Sequence, residues 1–162
     1  MAHRPSRTVP PPLTPPTNEP PRHGHYRREL AMTRHRRLIQ RIRVTGRYPS
    51  DQEAESALAA VLSVLGGQLT GDERCALAAA LPESDRAQFA ARIPLPEPVA
   101  GPAFVESVAR ILNTTVASAR WDASAVLSAL TDLAGDQLTD RLLAQLPGGY
   151  ALLFGRADLA AA

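Results

Sequence analysis

The sequence predicts an all-α protein made of two homologous four-helix repeats packed as a pseudo-symmetric bundle, and three observations predict it. Alanine and leucine dominate a 44% apolar content while aromatics reach only 4%, a balance that suits helices and not sandwiches or barrels, which want β-branched and aromatic residues. Apolar residues recur with a helical period, and no useful stretch alternates with period two. A block of sequence also returns after 65 residues.

Taken in order, residues 1–26 are predicted to be a disordered Pro/Arg-rich arm. The first 24 positions hold 8 of the 15 prolines, and such a segment cannot bury enough apolar surface to offset its ordering entropy. The first repeat spans 27–93. It opens with a helix over 27–45, stopped at Gly46, with positions 31, 35, 38, 39 and 42 on its docking face. The next helix carries Ala54, Ala57, Leu58, Val61, Leu62 and Leu65 as one stripe, with Ser50-x-x-Glu53 as its capping box and Gly66-Gly67 as its stop. Thr70-x-x-Glu73 is expected to cap a shorter helix ended by Pro82, and a brief helix around Phe89 closes the repeat.

Pro94-Leu95-Pro96-Glu97-Pro98 is too rich in proline for an element interior, so 94–102 is predicted to be a linker. The second repeat, 103–158, begins with a helix over 103–112 that ends near Asn113. A long helix follows with Ala119, Ala123, Val126, Leu127 and Leu130 in its stripe, stopped at Gly135. Asp136 is expected to cap the next helix, Pro147 ends it, and a short helix surrounds Phe154. Residues 159–162 form a tail.

The repeat rests on matched residues. Val61-Leu62-Ser63-Val64-Leu65 returns as Val126-Leu127-Ser128-Ala129-Leu130, and Leu77, Ala79, Leu81 and Pro82 return as Leu142, Ala144, Leu146 and Pro147. The spacing holds without a gap from Ala54 to Phe89. A unit of about 60 residues with a light Ala-Leu core is marginal alone, so the two are expected to bury surface against each other.

The formal charge of +2 averages two unlike regions. Residues 1–48 carry 11 Arg against Glu19 and Glu29, a net of +9; residues 49–162 carry 7 Arg against 14 acidic side chains, a net of −7. Lysine is absent.

The string "AVLSALTDLAGDQL", followed by "LLAQLP" and "GYALLF", resembles the bacterial domain of unknown function 2267 family. "ALAAVLSVLGGQL", "ALAAALP" and "AQF" form the other half of the same pattern. The resemblance covers about residues 33–157. It implies two related helical repeats and supplies no catalytic residues.

Residues 49–162 contain neither histidine nor lysine, so the usual general base and Schiff-base nucleophile are missing there. No phosphate-cradling glycine motif occurs, and a single cysteine excludes an internal disulfide or a Cys-based zinc site. Neither a cofactor nor a metal is expected, and His23-x-His25 alone makes no closed metal site. Asp132, Asp136 and Asp140 read as caps and solvated surface. Cys75 is expected to be exposed and inert. With no span-length apolar run and no signal segment, the expected setting is the cytoplasm.

The expectation is therefore a non-catalytic interaction module with an unknown protein partner or a second copy of itself. Trp121 is the candidate contact, because it lies opposite the stripe of its helix among small residues; the competing reading has the first helix or the other repeat cover it. The alternative function is nucleic-acid or anionic-surface binding through Arg34, Arg36, Arg37, Arg41 and Arg43. The competing reading is that those arginines dock on the acidic body or form a plain solvated face.

Overall fold

The computed structural model describes residues 23–156, and among them every regular element is a helix. In order they are α1 (His23–Gly46), α2 (Asp51–Leu65), α3 (Gly71–Ala80), α4 (Glu83–Ala90), α5 (Gly101–Leu112), α6 (Val116–Ala134), α7 (Asp136–Gln145) and α8 (Tyr150–Leu153). The predicted arm over 1–26 lies outside the described residues up to position 22, as does the 159–162 tail.

From position 23 the arm assignment is corrected, because α1 is already helical there. The last proline of the arm is Pro21; beyond it nothing blocks the hydrogen-bond ladder, and a helix readily follows proline. The linker likewise ends at Ala100, two residues early. Pro102 sits in the first turn of α5, where its missing N–H costs nothing.

Local signals set most of the boundaries. Ser50 Oγ accepts from the Glu53 N–H at 3.3 Å, and Thr115 Oγ1 accepts from the Ser118 N–H at 3.1 Å. Two expected caps differ. The Thr70 side chain makes no capping bond; instead its backbone N–H and C=O both bond Gln145. Asp136 is the first residue of α7, and the capping position belongs to Gly135 at φ +82, a left-handed setting that favours glycine. α1 and α5 stop the same way, at Arg47 (φ 54) and Asn113 (φ 51). Past each stop an N–H reaches back five residues, from Tyr48 to Arg43 and from Thr114 to Ala109.

All eight helices contribute to one buried cluster. Leu38, Ile39 and Ile42 seat α1 on α2, α4 and α6. Each such burial contributes roughly 1.5–3 kcal/mol. That outweighs the exposed Arg41–Asp132 pair (2.6 Å), which is worth about 0–1 kcal/mol at a surface. Apolar docking therefore holds α1 in place, and its charges decorate the joint.

At the C-terminal ends of α2, α3 and α4, arginines from elsewhere bond carbonyls in addition to the local cap bonds. Arg34 and Arg86 donate to the Ala80 and Ala78 carbonyls at the end of α3, each at 2.8 Å. Arg74 donates to Gly66, which follows α2, and to Phe89, Ala90 and Arg92 around the end of α4, with its guanidinium 5.0 Å from the Phe89 ring centre. Positive charge at a helix C-terminus also complements the helix dipole. Tyr150 packs edge-on against Phe104 and donates its hydroxyl to the Val99 carbonyl at 2.7 Å.

Candidate functional site

The five arginines singled out on α1 do not form one basic face. Arg34 turns to the end of α3, Arg41 to Asp132 on α6, and Arg43 to Asp51 at 3.0 Å and to the Tyr48 and Pro49 carbonyls. Three of the five are thus spent on the body itself, in three directions. Arg36 and Arg37 are exposed and have no hydrogen-bond or ion-pair partner among the described residues. Asp132 pairs with Arg41, while Asp136 and Asp140 both pair with Arg156, at 2.7 and 3.3 Å.

Trp121 combines features of both readings made for it. Its Nε1–H donates to the Gly46 carbonyl at 2.9 Å, so the end of α1 does touch the indole, yet the residue remains 54% exposed. Beside it the Tyr48 hydroxyl donates to Asp122 at 2.5 Å. Burial and that carboxylate together push the Tyr48 pKa far above its ordinary value. Gly46 is closely covered at this corner: a Cβ there would run into the Tyr48 ring, and one of the two would have to shift. Two α6 neighbours, Trp121 and Asp122, thus grip the turn that ends α1.

The sequence reading set histidine apart from the acidic body, and that is corrected. His35 lies within the fold, half-buried, its Nδ1 2.8 Å from Asp85 Oδ2 and its Nε2 3.8 Å from Glu55 Oε1. Asp85 is 4% exposed, at the start of α4. The helical period did place position 35 on the docking face. Nothing in the sequence announced its partner, because 50 residues separate the two and only packing joins them.

His35 lines a groove of about 560 Å³ between the first half of α1 and the starts of α2 and α4. Arg28 and Arg36 face it from one side, Asp51, Glu55 and Glu83 from the other, with Met32 exposed at the lip. A carboxylate holding an imidazole is an arrangement that general bases use. Ser84 also lines the groove, and among the described residues its hydroxyl makes no hydrogen bond to His35. Among the described residues no three metal-ligating side chains converge, and no helix is long and apolar enough to cross a membrane. Cys75 is exposed, as its helical position predicts.

A comparison with curated proteins returns no match. The family model described as "Uncharacterized conserved protein (DUF2267)" matches residues 35–153. That interval runs from the histidine that fastens α1 to the last residue of α8, so it takes in the shared core except Phe154, the Trp121 corner and most of the α1–α2–α4 groove. On that match the chain belongs to the DUF2267 family.

Proposed function

We propose that this chain is a non-catalytic helical interaction module acting through protein–protein contacts, with Trp121 as an anchor. The supporting observation is the fixed indole. Its N–H is bonded to Gly46 while 54% of the residue stays open to a partner. A rigid, amphipathic ring that has already lost its rotational freedom is the kind of side chain on which binding energy concentrates. The partner is a second copy or another protein of the same compartment, which the lone cysteine suggests is the cytoplasm.

Sedimentation and affinity purification from producing cells, with wild type and Trp121→Ala side by side, test this. Loss of self-association or of a specific partner in the variant, with its melting transition retained, is the expected result. An unchanged assembly and an unchanged partner set would overturn the reading.

We further read the chain as an internal duplication. Supporting it, α3 and α7 occupy 71–80 and 136–145, and the capping residues Ser50 and Thr115 also stand 65 apart. The left-handed stops Arg47 and Asn113 stand 66 apart, which leaves Pro49 as one added residue in the first turn.

Nucleic-acid binding is the second reading, favoured by the exposed and unpaired Arg36 and Arg37. Because α1 is part of the core, removing residues 1–48 would remove Leu38, Ile39 and Ile42 as well. The clean test is Arg36→Glu with Arg37→Glu in a salt titration against duplex DNA. Wild-type affinity that falls with salt and drops further in the double variant supports the reading.

A further inference from the structure

We propose that the groove between α5 and the 92–99 segment docks a short acidic peptide bearing a large apolar side chain. Its volume is about 370 Å³, within the roughly 300–1,000 Å³ of ligand-sized pockets. Val64, Leu95, Val99 and Ile111 give it an apolar lining, and Ile93, 85% exposed, stands at its rim. The wall is already fixed. Leu95 N–H donates to Gly67 O at 2.9 Å, Val99 N–H to Gln68 Oε1 at 2.7 Å, and the Tyr150 hydroxyl to Val99 O at 2.7 Å. A partner therefore need not order the segment on arrival, which removes one of the usual costs of binding.

Charge selects the partner. Among the described residues, the only ionic side chains lining this groove are Arg92 and Arg110. Ser63 Oγ accepts from Arg92 at 3.0 and 2.7 Å, and Ser107 Oγ accepts from Arg110 at 3.2 Å. Neutral hydroxyls orient a guanidinium without cancelling its charge. Among the described residues neither arginine has a carboxylate within 4.0 Å, whereas Arg41, Arg43 and Arg156 each do. Glu97 and Glu106 are not among the lining residues. On a body that is acidic overall, this is a positive apolar groove. The α1–α2–α4 groove, lined by both signs, makes no such selection. A glutamate beside a leucine in a partner would gain charge-assisted bonds to Arg92 or Arg110 while the leucine enters the apolar lining.

The proposal stands independently of Trp121. The test is a titration of the isotope-labelled full chain, followed by amide resonances, with the synthetic peptide acetyl-Ser-Glu-Leu-Glu-Leu-Ser-amide. Its lysine-for-glutamate counterpart and phosphatidylglycerol vesicles are titrated in parallel. Saturable shifts at Gly67, Gln68, Ile93, Leu95 and Ile111 with the acidic peptide alone are expected. Arg92→Glu with Arg110→Glu should weaken that binding at least about tenfold and transfer preference to the lysine peptide, while Trp121→Ala leaves it unchanged. Both arginines are exposed, so the reversal spares the core; the two-peptide comparison on wild type decides the matter even if it does not. Equal binding of the two peptides, shifts confined to other surfaces, or groove shifts from vesicles and not from the acidic peptide would each overturn the proposal.

Discussion

The imidazole of His35 meets the carboxylate of Asp85 at 2.8 Å and so ties α1 to the buried start of α4. A carboxylate that is 4% exposed needs a partner, since burying an unpaired charge costs far more than a surface ion pair returns. His35→Ala removes that partner and is expected to lower stability by about 2 kcal/mol. In urea unfolding, a double-mutant cycle with Asp85→Ala should show coupling of about 1 kcal/mol or more. Strict additivity would mean that the two side chains contribute independently.

Gly46→Ala puts a methyl group into the Tyr48 ring, which Asp122 holds in place. Overpacking of this kind costs about 1–3 kcal/mol. Trp121 is the chain's single tryptophan, so intrinsic fluorescence reports directly on the corner. The variant should melt earlier and emit at longer wavelength as the indole loses its anchor on α1. A silent substitution would mean that the turn relaxes without disturbing α6.

Tyr48 and Tyr150 both have pKa values raised above the ordinary 10, Tyr48 by burial and by Asp122, Tyr150 by burial. The fold therefore favours their protonated forms. That contribution is complete below pH about 10 and is lost as pH rises from there toward the folded-state values. Each tyrosine should steepen the alkaline loss by up to about 1.4 kcal/mol per pH unit. Unfolding free energies measured from about pH 9 to pH 11 should fall less steeply in Tyr48→Phe and Tyr150→Phe than in wild type. Parallel curves would show that neither tyrosine governs alkaline stability.

Arg74 gathers the ends of α2 and α4 with one guanidinium. Arg74→Ala frees several carbonyls and the face of Phe89 together, and a loss of about 2–3 kcal/mol is expected. Arg74→Lys keeps the charge but not the fork, so it should recover less than half of that. Full recovery by lysine in thermal melts would make charge, and not geometry, the source of the stability.

The helices were legible where the signal is local. The apolar stripes of α2 and α6, the Ser50 cap and the proline stops each depend on residues a few positions apart, and the structure ends α2 and α6 directly before the expected stops at Gly66 and Gly135. What sequence could not supply was the pairing of distant polar groups. The sequence marks Thr70 as a side-chain cap, but Gln145 takes over its backbone from 75 residues away. An arginine on a helix signals charge and reach; whether it meets a carboxylate, a carbonyl or solvent depends on which helix end packs beside it. Trp121 shows both sides: its helical angle sets it opposite the stripe of α6, whereas its bond to Gly46 arises from tertiary packing alone.

The segments before and after the 94–100 stretch are fastened to each other at two separate places. Trp121, Asp122 and Asp132 of α6 hold the end of α1, while Gln145 of α7 bonds Thr70 and Glu73 at the start of α3. With one shared core between the two clasps, neither segment can leave without opening both. Unfolding should accordingly run as one cooperative transition. Exchange of either segment between neighbouring molecules, the usual hazard where an extended connection joins two packed segments, meets a double barrier.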